Sequence, residues 1–186
     1  MKKLFLTLVI AFASVSVSMA QNIFVKGDGV AHFGLGLGTY LGGSGYSTVV
    51  PPILASAEFC ITDALINRKG GYVGIGGYMA YAANKYTYHG NYGYNYSYFI
   101  IGARGAFHYQ FVDNLDTYAG AMIGYNIVSS SYFGSNIYHN NVKADSGGLK
   151  YTSFIGARYY FTNNIAAFAE LGYGIAALEF GVAIKF

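Results

Sequence analysis

The chain has 186 residues, 54% of them hydrophobic and only 10% charged, with a formal net charge of +3. Its length suits one domain. The composition is too apolar and aromatic for a disordered chain, and it falls well short of the roughly one-quarter charged residues of an ordinary soluble globule. Tyrosine (20), phenylalanine (14) and glycine (26) are abundant, whereas there is no tryptophan and there are only 2 prolines.

The first twenty residues differ from the rest. Lys2 and Lys3 give a positive start, 4–13 is a short apolar run, and Ser18-Met19-Ala20 places small residues where a signal peptidase reads them. This pattern predicts a signal peptide over 1–20, removed before Gln21, and a mature domain over 21–186. The run is too short to span a bilayer as a helix. A Gln and not a Cys at position 21 does not support lipoprotein processing. Loss of Lys2 and Lys3 takes the charge from +3 to +1 (3 − 2 = 1), which argues against nucleic acid as a partner. Cys60 is the sole cysteine, so neither an intrachain disulfide nor a zinc cluster is available. No metal or cofactor is expected. No other stretch holds about 18 consecutive apolar residues, so a membrane form would have to be a barrel.

Alternating faces recur along the rest of the chain. In 28–41, Ala31, Phe33, Leu35, Leu37 and Thr39 share one face, with His32, Gly34, Gly36 and Gly38 opposite. Small residues on the second face suit a narrow lumen. The Gly/Ser/Pro stretch 42–52 reads as a loop. Run 53–62 turns Ile53, Ala55, Ala57, Phe59 and Ile61 outward and Ser56, Glu58 and Cys60 inward, before a polar connection over 63–70. Run 71–83 has Val73, Ile75, Met79 and Tyr81 outward. A Tyr/Asn/Gly-rich segment, 84–95, follows. Run 96–112 turns Phe99, Ile101, Ala103, Phe107, Tyr109 and Phe111 outward and Gly102, Arg104, Ala106, His108 and Gln110 inward. Asp113-Asn114 is a tight-turn signal. Run 115–128 has Ala119, Ala121, Ile123, Tyr125 and Ile127 outward and Tyr118, Gly120, Met122, Gly124 and Asn126 inward. A polar loop is expected over 129–148. Run 149–161 turns Gly156 and Arg158 inward, and after a turn at 162–164, run 165–173 turns Phe168, Glu170 and Gly172 inward. A short link, 174–177, leads to the last strand. Arg104 and Arg158 each end an Ile-Gly-Ala-Arg echo, and parity puts both on the same side.

In the last eight residues, Phe180, Val182, Ile184 and Phe186 fall on one face, with Glu179, Gly181, Ala183 and Lys185 on the other. Glu179, Gly181, Ile184 and the terminal Phe186 occupy the four places of a pattern that resembles the C-terminal assembly signal of bacterial outer-membrane β-barrels. With the leader and the alternation, the chain resembles a small outer-membrane β-barrel of the OmpA/OmpX type over essentially all of 22–186. The fold expected is all-β, an antiparallel up-and-down transmembrane barrel of about eight strands. The resemblance implies a Gram-negative outer-membrane location, contact with outer-membrane lipid, and recognition of the C-terminal strand by the barrel-assembly machinery. It lacks the tryptophans often found in the aromatic girdles, where tyrosine would have to serve.

By parity Glu58, Arg104, Arg158, Glu170 and Glu179 face the lumen. Charges in so narrow a space must pair, and Glu170 stands on the strand next to that of Arg158. A structural salt-bridge network filling the interior is the expectation; a narrow pore is the alternative. His32 and His108 also point inward, without an identifiable nucleophile or third ligand. His89 and His139 fall in loops. Tyr86, Tyr88, Tyr92, Tyr94, Tyr96 and Tyr98 read as a strand extension serving as an interfacial girdle, or else as an adhesive surface. The function expected is non-enzymatic, structural or a surface interaction through 42–52, 84–95 and 129–148, with the partner of those loops unspecified. A small outer-membrane lipid-modifying enzyme and a secreted soluble barrel are the competing readings.

Overall fold

A computed structural model of the chain describes residues 23–66, 70–88, 92–134 and 143–186. The expected leader, His89 and His139 lie outside the described residues. Eight strands follow one another: β1 Gly29–Thr39, β2 Tyr46–Cys60, β3 Gly70–Tyr88, β4 Tyr92–Val112, β5 Leu115–Phe133, β6 Lys143–Tyr160, β7 Ile165–Tyr173 and β8 Ala176–Lys185. Each pairs with the next in sequence, and β1 pairs antiparallel with β8, so the sheet closes into an up-and-down barrel. Closure removes the sheet edges that an open sheet would leave unpaired.

The alternation sets the two surfaces. Phe33 is 56% exposed and Ile101 51%, whereas His32 and Ile100 beside them are fully buried. Large apolar side chains therefore cover the outside along every strand, an arrangement suited to lipid and not to water. Lumen-facing glycines let the sheet coil tightly. A methyl group on Gly76 would collide with the Ala57 carbonyl oxygen, and one on Gly181 with that of Phe33.

The strands run further than composition suggested at the end away from the termini. The segment 42–52 is not all loop, because β2 starts at Tyr46 and carries Pro51 and Pro52 within it. Those prolines are tolerated because β1 pairs with β2 only as far as Leu35–Ile53, and the β2–β3 register shifts beside them. Likewise β5 continues to Phe133 and β6 begins at Lys143, so 129–148 is mostly strand. The final link shrinks to Gly174 and Ile175, with Gly174 in the left-handed region at φ +119°. At the turn after β4, Asn114 takes φ +61°, a conformation that asparagine tolerates better than most residues.

The result is a lopsided barrel. β3 to β6 hold 18 to 21 residues, whereas β7, β8 and β1 hold 9 to 11. β7 covers β6 only from Tyr160 to Ser153, so the stretch of β6 from Lys143 to Thr152 pairs with β5 alone. A sheet of β2 to β6 therefore projects beyond the rim. Tyr86, Tyr88, Tyr92, Tyr94, Tyr96 and Tyr98 lie at this end of β3 and β4, but on the lumen-side face. Tyr94 stands opposite Tyr86, and Tyr96 opposite Asn84, at the parity of Arg104. They are not a girdle. Outward aromatics occur instead near the terminal end, where Tyr109 packs on Phe111 and Tyr159 on Phe161, and near the short rim, where Tyr40 meets Tyr173.

Candidate functional site: the sealed lumen and the projecting sheet

The interior is filled in three layers. At the terminal end Ile23 and Phe24 fold back into the barrel and are buried with Val30, Cys60, Tyr72, Tyr160 and Phe168. Backbone bonds hold this cork. Gly27 N–H donates to Cys60 O at 3.1 Å and Cys60 N–H to Asp28 O at 3.0 Å. Lys185 Nζ donates to Ile23 O at 3.1 Å, and Ile23 N–H to Gln110 Oε1 at 3.1 Å. At the other end Leu41, Leu54, Tyr98, Ile100 and Ile175 form an apolar cap.

The charged residues lie between. Arg158 is fully buried at the centre. Its Nε donates to Asp116 Oδ2 at 2.9 Å, with a second contact from Nη2 to the same oxygen. Nη1 lies 3.3 Å from His32 Nε2, and Nη2 3.0 Å from His108 Nδ1. His108 sits between Asp116, at 3.0 Å, and Glu58, which its Nε2 contacts. Arg104 forks onto Glu170 through Nη2 at 2.8 Å, with Nη1 at 3.5 Å and Glu58 Oε2 3.8 Å from its Nε. Tyr118 also donates to Glu170, at 2.8 Å, and Tyr78 donates to Glu179 at 2.9 Å. Aromatic faces complete the packing: Arg104 lies 4.1 Å from the Phe154 ring centre and Arg158 4.9 Å from that of Phe24. Each guanidinium is thus held by both carboxylates and rings, the arrangement that makes burial of its charge tolerable.

All five charged residues singled out from the sequence are buried inside the barrel. Their partners differ from the sequence-based pairing. Glu170 stands opposite Gly156 and not Arg158 in the β6–β7 register, so its carboxylate reaches Arg104. The partner of Arg158 is Asp116, which the sequence reading overlooked. The signal was available, since Asp116 has the parity of Tyr118, but its place two residues after the turn made it look like part of the connection. Glu179 engages a tyrosine hydroxyl. At the seam, Phe186 N–H donates to Gly29 O at 2.8 Å and Gly29 N–H to Phe186 O at 3.0 Å.

One pair inside the barrel invites a catalytic reading. His32 Nδ1 lies 3.1 Å from Ser56 Oγ. In a hydrolytic triad the second nitrogen of the histidine faces a carboxylate that stabilises the imidazolium. Here it faces the Arg158 guanidinium, so the serine gains no general base. Both residues are buried inside the barrel.

The same fold occurs in Ail, the attachment invasion locus protein of Yersinia pestis. Its structure in complex with the heparin analogue sucrose octasulfate superposes with a TM-score of 0.57 at 10% identity, covering 87% of this chain and all of that one. The N-terminal β-barrel domain of Pseudomonas aeruginosa OprF gives 0.51 at 15% identity, covering 87% and 98%. The fold is that of the small outer-membrane barrels of the OmpA/OmpX type. No protein-family model and no curated protein sequence matches the chain.

The cork makes a prediction. Phe24→Ala removes the ring that covers His108 at 4.4 Å and Arg158, and admits water to the charged layer from the terminal end. Planar-bilayer recording should show a closed wild type and brief openings in the variant. Equal silence in both would show that Phe24 is not needed to seal the barrel.

Proposed function

We propose that the chain is a non-enzymatic outer-membrane barrel, exported with cleavage of residues 1–20, whose lumen is a structural fill and whose projecting sheet engages material at the cell surface. In this reading the termini and the short connections at 113–114 and 161–164 face the periplasm. The C-terminal strand carries the assembly signal of Glu179, Gly181, Ile184 and Phe186 for the barrel-assembly machinery. The observation that carries the proposal is the projection of β2 to β6 beyond a filled barrel. A stable anchor needs only the barrel, and a pore needs an open lumen. Strand length beyond both requirements serves what lies outside. Half-exposed tyrosines suit recognition, because they offer large contact area at a low cost in side-chain entropy.

The test is to replace 84–95 with a two-residue turn. The shortened protein should still fold in the membrane, with unheated and heated samples migrating differently on a gel, and should lose attachment to other cells or surfaces. Attachment unchanged from wild type at equal surface levels would overturn the reading.

A further inference from the structure

The inner face of the projecting sheet is organised in cross-strand rows. Tyr46, Tyr86, Tyr94 and Tyr132 stand in one register across β2 to β5. Ring centres are 5.0 Å apart for Tyr46–Tyr86 and 5.5 Å for Tyr94–Tyr132. The next row places Tyr96 between Asn84 and Ser130. Nearer the rim the rings give way to glycine. Gly102, Gly124 and Lys150 form one row, with Asn126 and Gly148 side by side in the row above it. A Cβ on Gly148 would meet nothing within 4 Å, so the sheet there borders open space. The amide oxygen of Asn126 is buried without a hydrogen-bond partner. Lys150 is half-buried and makes no ion pair among the described residues. It is the one charged side chain in these rows.

Three features define a ligand. A row of rings carrying hydroxyls suits a molecule with apolar faces and polar edges. A half-buried cation without a counter-ion suits an anion that reaches it, since desolvating a lone charge is costly. On β5 the row of Tyr96 and the row of Lys150 are six residue steps apart, Ser130 to Gly124, roughly 20 Å at ~3.4 Å per residue, so the ligand is a chain of units and not a single ring. A peptide strand would instead use the unpaired edge of β6 and leave this face free. We propose that the face binds an extended, carboxylate-bearing oligosaccharide, with sugar rings lying on Tyr94 and Tyr96 and a carboxylate meeting Lys150. This rests on the surface-interaction reading and gives it a ligand class.

The experiment uses the full mature chain in nanodiscs, titrated with a galacturonic acid oligomer, a neutral glucose oligomer of the same length, and a sulfated dextran. The absence of tryptophan lets tyrosine emission report ring contact directly. Expected are binding of the acidic oligomer with quenching, at least tenfold weaker binding of the neutral one, and at least tenfold loss for both Lys150→Gln and Tyr96→Ala. Heat-shifted gel mobility shows that each variant is folded, and Tyr96→Phe should retain most of the affinity. Equal affinity of Lys150→Gln, or sulfated dextran binding that ignores Tyr96 and exceeds that of the uronic acid oligomer, would overturn the proposal. No binding of any sugar, by a protein whose sheet-shortened form has lost attachment, would overturn the sugar assignment alone. Attachment retained by the sheet-shortened form would overturn the reading beneath it.

Discussion

Arg158→Leu should destabilise the folded barrel by about 3–5 kcal/mol, the usual cost of leaving one partner of a buried ion pair behind. The guanidinium is fully buried and is the central donor to Asp116, with His32 and His108 also within reach. Its loss leaves the Asp116 carboxylate in the lumen with His108 as its remaining charged partner among the described residues. The double variant Arg158→Leu with Asp116→Leu removes the stranded charge and should recover part of that loss. Arg158→Leu with Glu170→Leu should recover nothing, because Glu170 belongs to Arg104 and its removal strands a second charge. The urea midpoint of the unheated gel form measures all three. A rescue by the Glu170 change equal to that by the Asp116 change would contradict the pairing.

Deletion of Phe186 should reduce membrane yield far more than Phe180→Ala at equal expression. Both side chains lie on the outer face, at 63% and 39% exposure, and burial of either in lipid is worth roughly 1.5–3 kcal/mol. Phe186 carries more than its ring. Its backbone exchanges two hydrogen bonds with Gly29, where the last strand meets the first, and its ring meets Phe59 edge-on at 5.9 Å. Removing it shortens the seam that closes the barrel and removes the terminal aromatic of the proposed assembly signal. Comparable membrane yields for the two variants would make Phe186 an ordinary lipid-facing residue.

The fold was legible wherever one face is apolar and the other small. The run 165–173 coincides with β7, Ile165–Tyr173, because asparagines and a glycine bound it. The outer ends were not legible, because there both faces turn polar or aromatic and composition imitates a loop. Tyr46 to Val50 and Lys143 to Gly148 are held by pairing with β3 and β5, a tertiary effect that alternation along one strand does not record. Parity identified which charges enter the lumen but not which of them meet. Partners inside a barrel are set by reach across the interior. Glu170 crosses to Arg104 on β4, and Arg158 turns to Asp116 on β5. The tyrosines of β4 show the same limit. Their spacing marked a strand, but their face was fixed only by the register that ties them to Arg104.

The most direct measurement is fractionation of cells making the full chain, with outer-membrane and soluble periplasmic fractions run unheated and heated on the same gel. A barrel covered outside by residues such as Phe33, Ile101 and Phe186 should appear in the outer-membrane fraction. It should migrate as a compact form until heated, since the ladder closes around the barrel wall and leaves detergent no edge there to open. Recovery in the soluble periplasmic fraction, with one mobility before and after heating, would contradict it.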